Sequence, residues 1–380
     1  MAITFDQAID KVLDERRTRQ DIQIPLEQFN LGLDADGKNI VGTIDGRDYV
    51  PTTHALKQMA NIMDVSHAVL NKLLEPATKT QMRKGITSEV VKYNRDQTDR
   101  ELLVALFKNG IRDGRVDPKK EFKFRTYTDG TLRAMLTDKY AIVDNIWYIN
   151  HLREVCKTLG GDEPKFQHWG GDADTIYGNL LMPSSLRTGS DSDYGGMLSI
   201  KNCEIGKARI SITPAVWRQI CTNGMMGWAR GQTWSKVHRG DIDLHGLADD
   251  ITFKINETVP ILNEGIDSLI NTQTLALTAK PSEVIAQIAL ESKLSSGMSG
   301  QAVRIVDEYG KHEAGFRNMF GIINAITRAA QTYDPAEQFR LEEIGGELLQ
   351  LGQGGWESLN RRAADMKKEQ RDKILGHVAI

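Results

Sequence analysis

The residues with the plainest chemistry lie between Lys207 and Arg239. This stretch holds six basic residues (Lys207, Arg209, Arg218, Arg230, Lys236 and Arg239), His238 and three tryptophans (Trp217, Trp228 and Trp234), and it contains no Asp or Glu. Cations neutralise phosphates and flat aromatic faces stack on bases, so the mixture suits a nucleic-acid groove. Ordinary packing is the competing reading. Trp217 reads as core on the apolar face of a helix that opens at Pro214 with Thr213 as its cap. Trp228 and Trp234, set among Gly227, Arg230, Gly231, Gln232 and Lys236, fit stacking and packing equally well. A second basic set precedes this one. Phe122, Phe124 and Thr126 alternate with Lys123, Arg125 and Tyr127. After Asp129-Gly130, Leu132, Ala134 and Leu136 alternate with Arg133, Met135 and Thr137. A period of two predicts a hairpin with one apolar and one basic face. Lys123, Arg125, Arg133, Lys207 and Arg209 are then expected on the open face of one sheet, with Trp228 and Trp234 at its edge.

Other chemistries find less support. In an extended chain Asp241, Asp243 and His245 point the same way, and two carboxylates with an imidazole can hold Mn²⁺, Mg²⁺ or Zn²⁺. Their spacing matches no specific motif, and a loop that caps the following helix accounts for them equally well, so no metal and no cofactor is expected. Gly224-Met225-Met226-Gly227 lacks the ending of a phosphate-cradling loop. His151 and Cys156 fall on different faces of one helix, which removes them as base and nucleophile. The pair His312-Glu313 is weaker still as a metal site.

The chain has 380 residues and a formal net charge of −3, so any nucleic-acid surface must be local. Its three cysteines, Cys156, Cys203 and Cys221, are far apart and read as small core residues in a reducing compartment. Neither a signal peptide nor a membrane span is expected. The expected location is the cytoplasm, that of the host cell if a phage encodes the protein.

The elements that position these residues follow from periodicity. A helix is predicted over Phe5–Arg17. The turns Asp36-Gly37 and Asp45-Gly46 flank a strand at Ile40–Ile44. Leu56, Met59, Ala60 and Met63, then Val69, Leu70, Leu73 and Leu74, predict a helical hairpin broken at Asp64. A helix-turn-helix is the alternative, but the second helix offers bases only His67, Asn71 and Lys72, so the hairpin is assigned to the core. Strands are expected at Val90–Asn94, Ile176–Met182, Met197–Ile200 and Ala208–Ile212, and a helix between Asn145 and Gly160. Beyond Asp249 the pattern is mostly helical, with starts at Pro281, Met319 and Pro335.

Several blocks resemble a known family. Leu132-Arg133-Ala134-Met135-Leu136-Thr137-Asp138-Lys139-Tyr140, followed by Val143-Asp144-Asn145, is similar to phage/plasmid-like proteins of the domain-of-unknown-function 932 family. So are Ile212-Thr213-Pro214 with Ile220-Cys221-Thr222-Asn223-Gly224-Met225, Lys236-Val237-His238-Arg239-Gly240, and Gly321-Ile322-Ile323-Asn324-Ala325-Ile326-Thr327. The resemblance covers about residues 85–335 and implies a phage or mobile-element origin. It brings no activity that can be carried over to particular residues.

The expected fold is α+β, a central, largely antiparallel sheet with flanking helices and a mostly helical C-terminal part. The expected divisions are 1–115 (hairpins and helical hairpin), 116–248 (a basic, Trp-rich α+β core) and 249–380 (helical). The expected function is non-catalytic binding of single-stranded DNA in replication or recombination, with a homo-oligomer as the form that repeats the groove. The residues expected to carry it are Lys123, Arg125, Arg133, Lys207, Arg209, Arg230, Lys236, Arg239, Trp228 and Trp234. The alternatives are an interaction factor acting on a host or phage protein and, last, a metal-dependent enzyme using Asp241, Asp243 and His245.

Overall fold

The computed structural model describes residues 2–74, 95–188, 193–218, 224–226, 233–310, 317–333 and 335–376. The strand expected at Val90–Asn94, together with Cys221, Trp228, Arg230 and the pair His312-Glu313, lies outside the described residues.

The architecture is α+β, built on two sheets. The first has six strands: β1 (Arg19–Pro25), β2 (Asn30–Leu33), β3 (Ile40–Ile44), β4 (Arg47–Pro51), β5 (Glu121–Tyr127) and β6 (Thr131–Thr137), in the order β1-β5-β6-β4-β3-β2. Only β4 and β6 pair in parallel. Asp45 and Gly46 close the β3–β4 hairpin in the left-handed region, at φ 48° and 76°, as an Asp-Gly turn requires. Before this sheet comes α1 (Phe5–Arg16), whose cap Thr4 forms a capping box with Gln7. Packed on the sheet are α2 (Thr53–Ile62) and α4 (Arg95–Arg112), with α3 (His67–Leu74) against both helices. Their apolar faces meet Phe29, Phe122 and Phe124 in one core. Leu70 is fully buried there, and Asp64 makes the break between α2 and α3 at φ 54°. The sheet crosses the division expected after residue 115, since β5 and β6 lie between β1 and β4.

The chain then enters α5 (Asn145–Thr158) and a second, antiparallel sheet: β7 (Lys165–Gly171), β8 (Thr175–Leu181), β9 (Arg187–Thr188), β10 (Asp193–Cys203), β11 (Ile210–Arg218), β12 (Gly224–Met226) and β13 (Trp234–Lys236). The path is β12-β11-β10-β8-β7, with β13 also on β11 and β9 on β10. The helix expected from Pro214 is instead the second half of β11, where Pro214 faces Leu198 of β10. On the outer edge of β11, β13 covers residues 210–212 and β12 covers 215–217. Pro214 falls between the two, where its missing N–H breaks no ladder bond.

One face of this sheet packs on α1, α5 and α6 (Leu244–Thr258) through Phe5, Tyr148, Ile200, Ile212 and Ile251. The sheet also meets a helical C-terminal part, through Tyr194 and Val216 among others: α7 (Leu262–Asn271), α8 (Pro281–Ser292), α9 (Ser296–Gly310), α10 (Met319–Ala329), α11 (Pro335–Leu349), α12 (Gly352–Ala364) and α13 (Lys368–Leu375). The division expected after residue 248 falls inside α6. Among the described residues no helix is long and apolar enough to cross a membrane.

Candidate nucleic-acid interface

The basic face of the β5–β6 hairpin is not open. Arg125 has no exposed side-chain surface, because the second sheet closes over it. Its guanidinium grips Asp21 of β1 with Nε and Nη2 at 2.8 and 2.9 Å. Its Nη1 donates to Glu204, just beyond β10, at 2.9 Å and to Asp174, just before β8, at 3.1 Å. Arg19 reaches the same Glu204 oxygen at 2.6 Å, and the other oxygen accepts the Asn145 backbone N–H at 2.8 Å. Burial opposes the charge of Arg125, but the Asp21 hydrogen bond and the surrounding carboxylates raise its pKa further above the ordinary arginine value. Arg125 therefore joins the two sheets and offers nothing to a phosphate, which corrects its expected role. Arg133 is committed to the same seam. It stacks over Tyr127 at 3.8 Å and lies 3.5 Å from Asp174. The hairpin forms as its alternation predicts, but these side chains meet carboxylates from distant segments instead of solvent.

The remaining expected cations separate. Lys123 is half-buried on β5 beside β1, whereas Lys207 and Arg209 lie by the second sheet, so no single sheet face carries them all. Lys236 pairs with Asp250 at 3.0 Å. Trp234 is partly buried against the core beneath α5 and α6. Asp243 caps α6, accepting the backbone N–H groups of His245 and Gly246 at 2.9 and 3.0 Å. Those bonds lower its pKa. Among the described residues no three His, Cys, Asp or Glu side chains converge as a metal site.

Lys207, Arg209 and Arg239 do come together. They line an open groove of about 510 Å³ with Lys139, Tyr140 and His238. Its walls are the link after β6, the β10–β11 turn and the segment after β13. Lys139, Lys207, Arg209 and Arg239 are exposed and make no ion pair among the described residues. No carboxylate is among the described lining residues. Four unneutralised cations around one hollow form a positive focus on a protein that is slightly acidic overall.

The groove is held rigidly from beneath. The carbonyl of Ile205, in the β10–β11 turn, accepts from His54 Nε2 at 2.7 Å and Gln58 Nε2 at 2.8 Å, both on α2. Burial pushes the His54 pKa down, so the imidazole stays neutral and donates through Nε2–H. Tyr140 Oη donates to the Cys203 carbonyl at 2.7 Å, and Gly240 N–H to the Lys139 carbonyl at 2.9 Å. Gly206 turns the chain at φ 81°, and a Cβ there would lie 3.3 Å from the Tyr140 ring. The left-handed backbone favours glycine here, and a side chain would sit tightly against the ring.

Lys139 and Tyr140 were missed by sequence reasoning because they sit alone, far from the basic stretch. The available signal was a cation next to an aromatic ring directly after a strand. No protein-family model, curated protein or solved structure matches the chain.

Proposed function

We propose that this protein binds single-stranded nucleic acid, DNA above all, without reacting with it, in phage or mobile-element replication or recombination. The observation that carries the reading is the groove of Lys139, Lys207, Arg209 and Arg239, four exposed cations without ion-pair partners among the described residues. Binding there releases counterions from the strand, the main source of affinity for a polyanion. An aromatic wall at Tyr140 and His238 favours strands whose bases are unstacked. The resemblance of its motifs to those of phage/plasmid-like proteins is what suggests the mobile-element setting.

The test is fluorescence anisotropy with a labelled oligothymidylate, a duplex of equal length and a single-stranded RNA. The single strands are expected to bind more tightly than the duplex. The double variant Lys207→Ala/Arg209→Ala is expected to lose about 25-fold in affinity at 0.1 M salt, since each single-strand phosphate contact contributes about five-fold there. RNA binding much tighter than DNA would move the reading to an RNA partner. Absence of binding to any strand at low salt would end it and leave an acidic protein surface as the groove's partner.

A further inference from the structure

We infer that Tyr140 is the ring on which a nucleobase stacks in this groove, with His238 as the positioning residue behind it, an assignment that rests on the reading above. Trp234, the described indole that the sequence offered for stacking, does not line the groove, whereas Tyr140 does. The Tyr140 hydroxyl is already given to the Cys203 carbonyl and the ring packs in part on Ala134, Leu136 and Ile205, so the rest of the ring surface is what remains for a ligand. That ring is partly exposed and lies almost parallel to the His238 imidazole, with centroids 5.3 Å apart and planes at 14°.

His238 is only 4% exposed. Its Nδ1 lies 3.0 Å from the Ala141 carbonyl, which can only accept, so Nδ1 carries the proton. Nε2 is then a lone-pair acceptor, buried without a partner among the described residues. Burial lowers the His238 pKa and keeps the imidazole neutral among four cations. The result is an uncharged aromatic pair in the wall of a positive groove. Gly206 abuts the Tyr140 ring on a side where any Cβ would crowd it. A ring fixed this way loses little freedom when a base arrives. Lys207 and Arg209 from one wall and Lys139 and Arg239 from the others are placed for the flanking phosphates. The ligand class is a strand with unpaired bases, because paired and stacked bases have no free face to offer.

The experiment uses the full chain, an oligothymidylate and the same strand carrying one 5-iodouracil. Binding is measured for wild type, Tyr140→Phe and Tyr140→Leu across salt concentrations, and photo-crosslinks on the wild type are mapped by mass spectrometry. Tyr140→Leu is expected to weaken binding about 5- to 150-fold, the range for losing one base stack, with the salt slope unchanged. Tyr140→Phe is expected to stay near wild type, and the crosslink to fall on Tyr140. Wild-type affinity in Tyr140→Leu, or a wild-type crosslink confined to other residues, would overturn the assignment. If Lys207→Ala/Arg209→Ala still lost binding in that case, the groove would stand without its platform. Should Tyr140→Leu fail to fold, the wild-type crosslink still decides.

Discussion

Arg125→Met is expected to cost about 3–5 kcal/mol of folding stability, the range for removing one partner from a buried ion pair. The physical reason is the company Arg125 keeps. Asp174 and Glu204 have 0% and 1% of their side-chain surface exposed, and Asp21 is held by both arms of the same guanidinium. Without Arg125, two carboxylates stay buried, and Arg19 is left as the other close ion-pair partner of Glu204. Because these carboxylates come from both sheets, the loss falls on the junction itself. Arg125→Lys keeps the charge but loses the two-armed grip, so an intermediate loss is expected. Arg209→Met, at an exposed position, is expected to change stability by less than about 0.5 kcal/mol. Urea denaturation of the three variants checks the ordering. An Arg125→Met midpoint equal to that of wild type would show that the sheets are joined by something else.

Glu342→Gln is expected to stabilise the protein at pH 8 and to do nothing at pH 4.5. Glu342 lies on α11 with no exposed surface. One carboxylate oxygen accepts from Gln338 at 2.8 Å, and the other has no hydrogen-bond partner among the described residues. Burial pushes its pKa up to about 7 from an unperturbed 4.5, and the Gln338 hydrogen bond only partly offsets this. The folded state therefore holds the proton more tightly than the unfolded chain does. The stability this contributes is fully present below pH 4.5 and is lost as pH rises to about 7. At about 1.4 kcal/mol per pH unit, the loss amounts to about 3 kcal/mol. Glutamine keeps the acceptor and has no proton to lose, so its thermal denaturation profile should lack this fall. Parallel profiles for wild type and variant between pH 4.5 and 8 would show that Glu342 is solvated in solution.

The parts of the fold legible in the sequence were those set by neighbours. The Asp45-Gly46 turn, the capped helix at Phe5, the β5–β6 alternation and the Leu70 face all follow from spacings of a few residues. The seam was not legible. Arg125 meets Asp174 and Glu204 from 49 and 79 residues away, and alternation says which side a residue faces but not what covers it. Pro214 misled for a related reason. Proline suits a helix start, but it is equally at home on a strand edge that happens to be unpaired. The site was half legible. Lys207, Arg209 and Arg239 stood out by charge, whereas Lys139 and Tyr140 reach the groove only because the link after β6 is tied to Cys203 and Gly240. Trp234, the described indole expected to stack, packs partly buried against the core instead.

The most direct test of the groove is the salt dependence of single-strand binding. With four cations contacting phosphates, log affinity is expected to fall with log salt at a slope of about −3, since each contact contributes about −0.7. Lys207→Ala/Arg209→Ala should flatten the slope to about −1.5. Arg133→Ala and Lys236→Ala, whose charges are already paired with carboxylates, should leave it unchanged. A slope near zero in the wild type, or one that flattens with Lys236→Ala and not with Lys207→Ala/Arg209→Ala, would contradict the assignment of the groove.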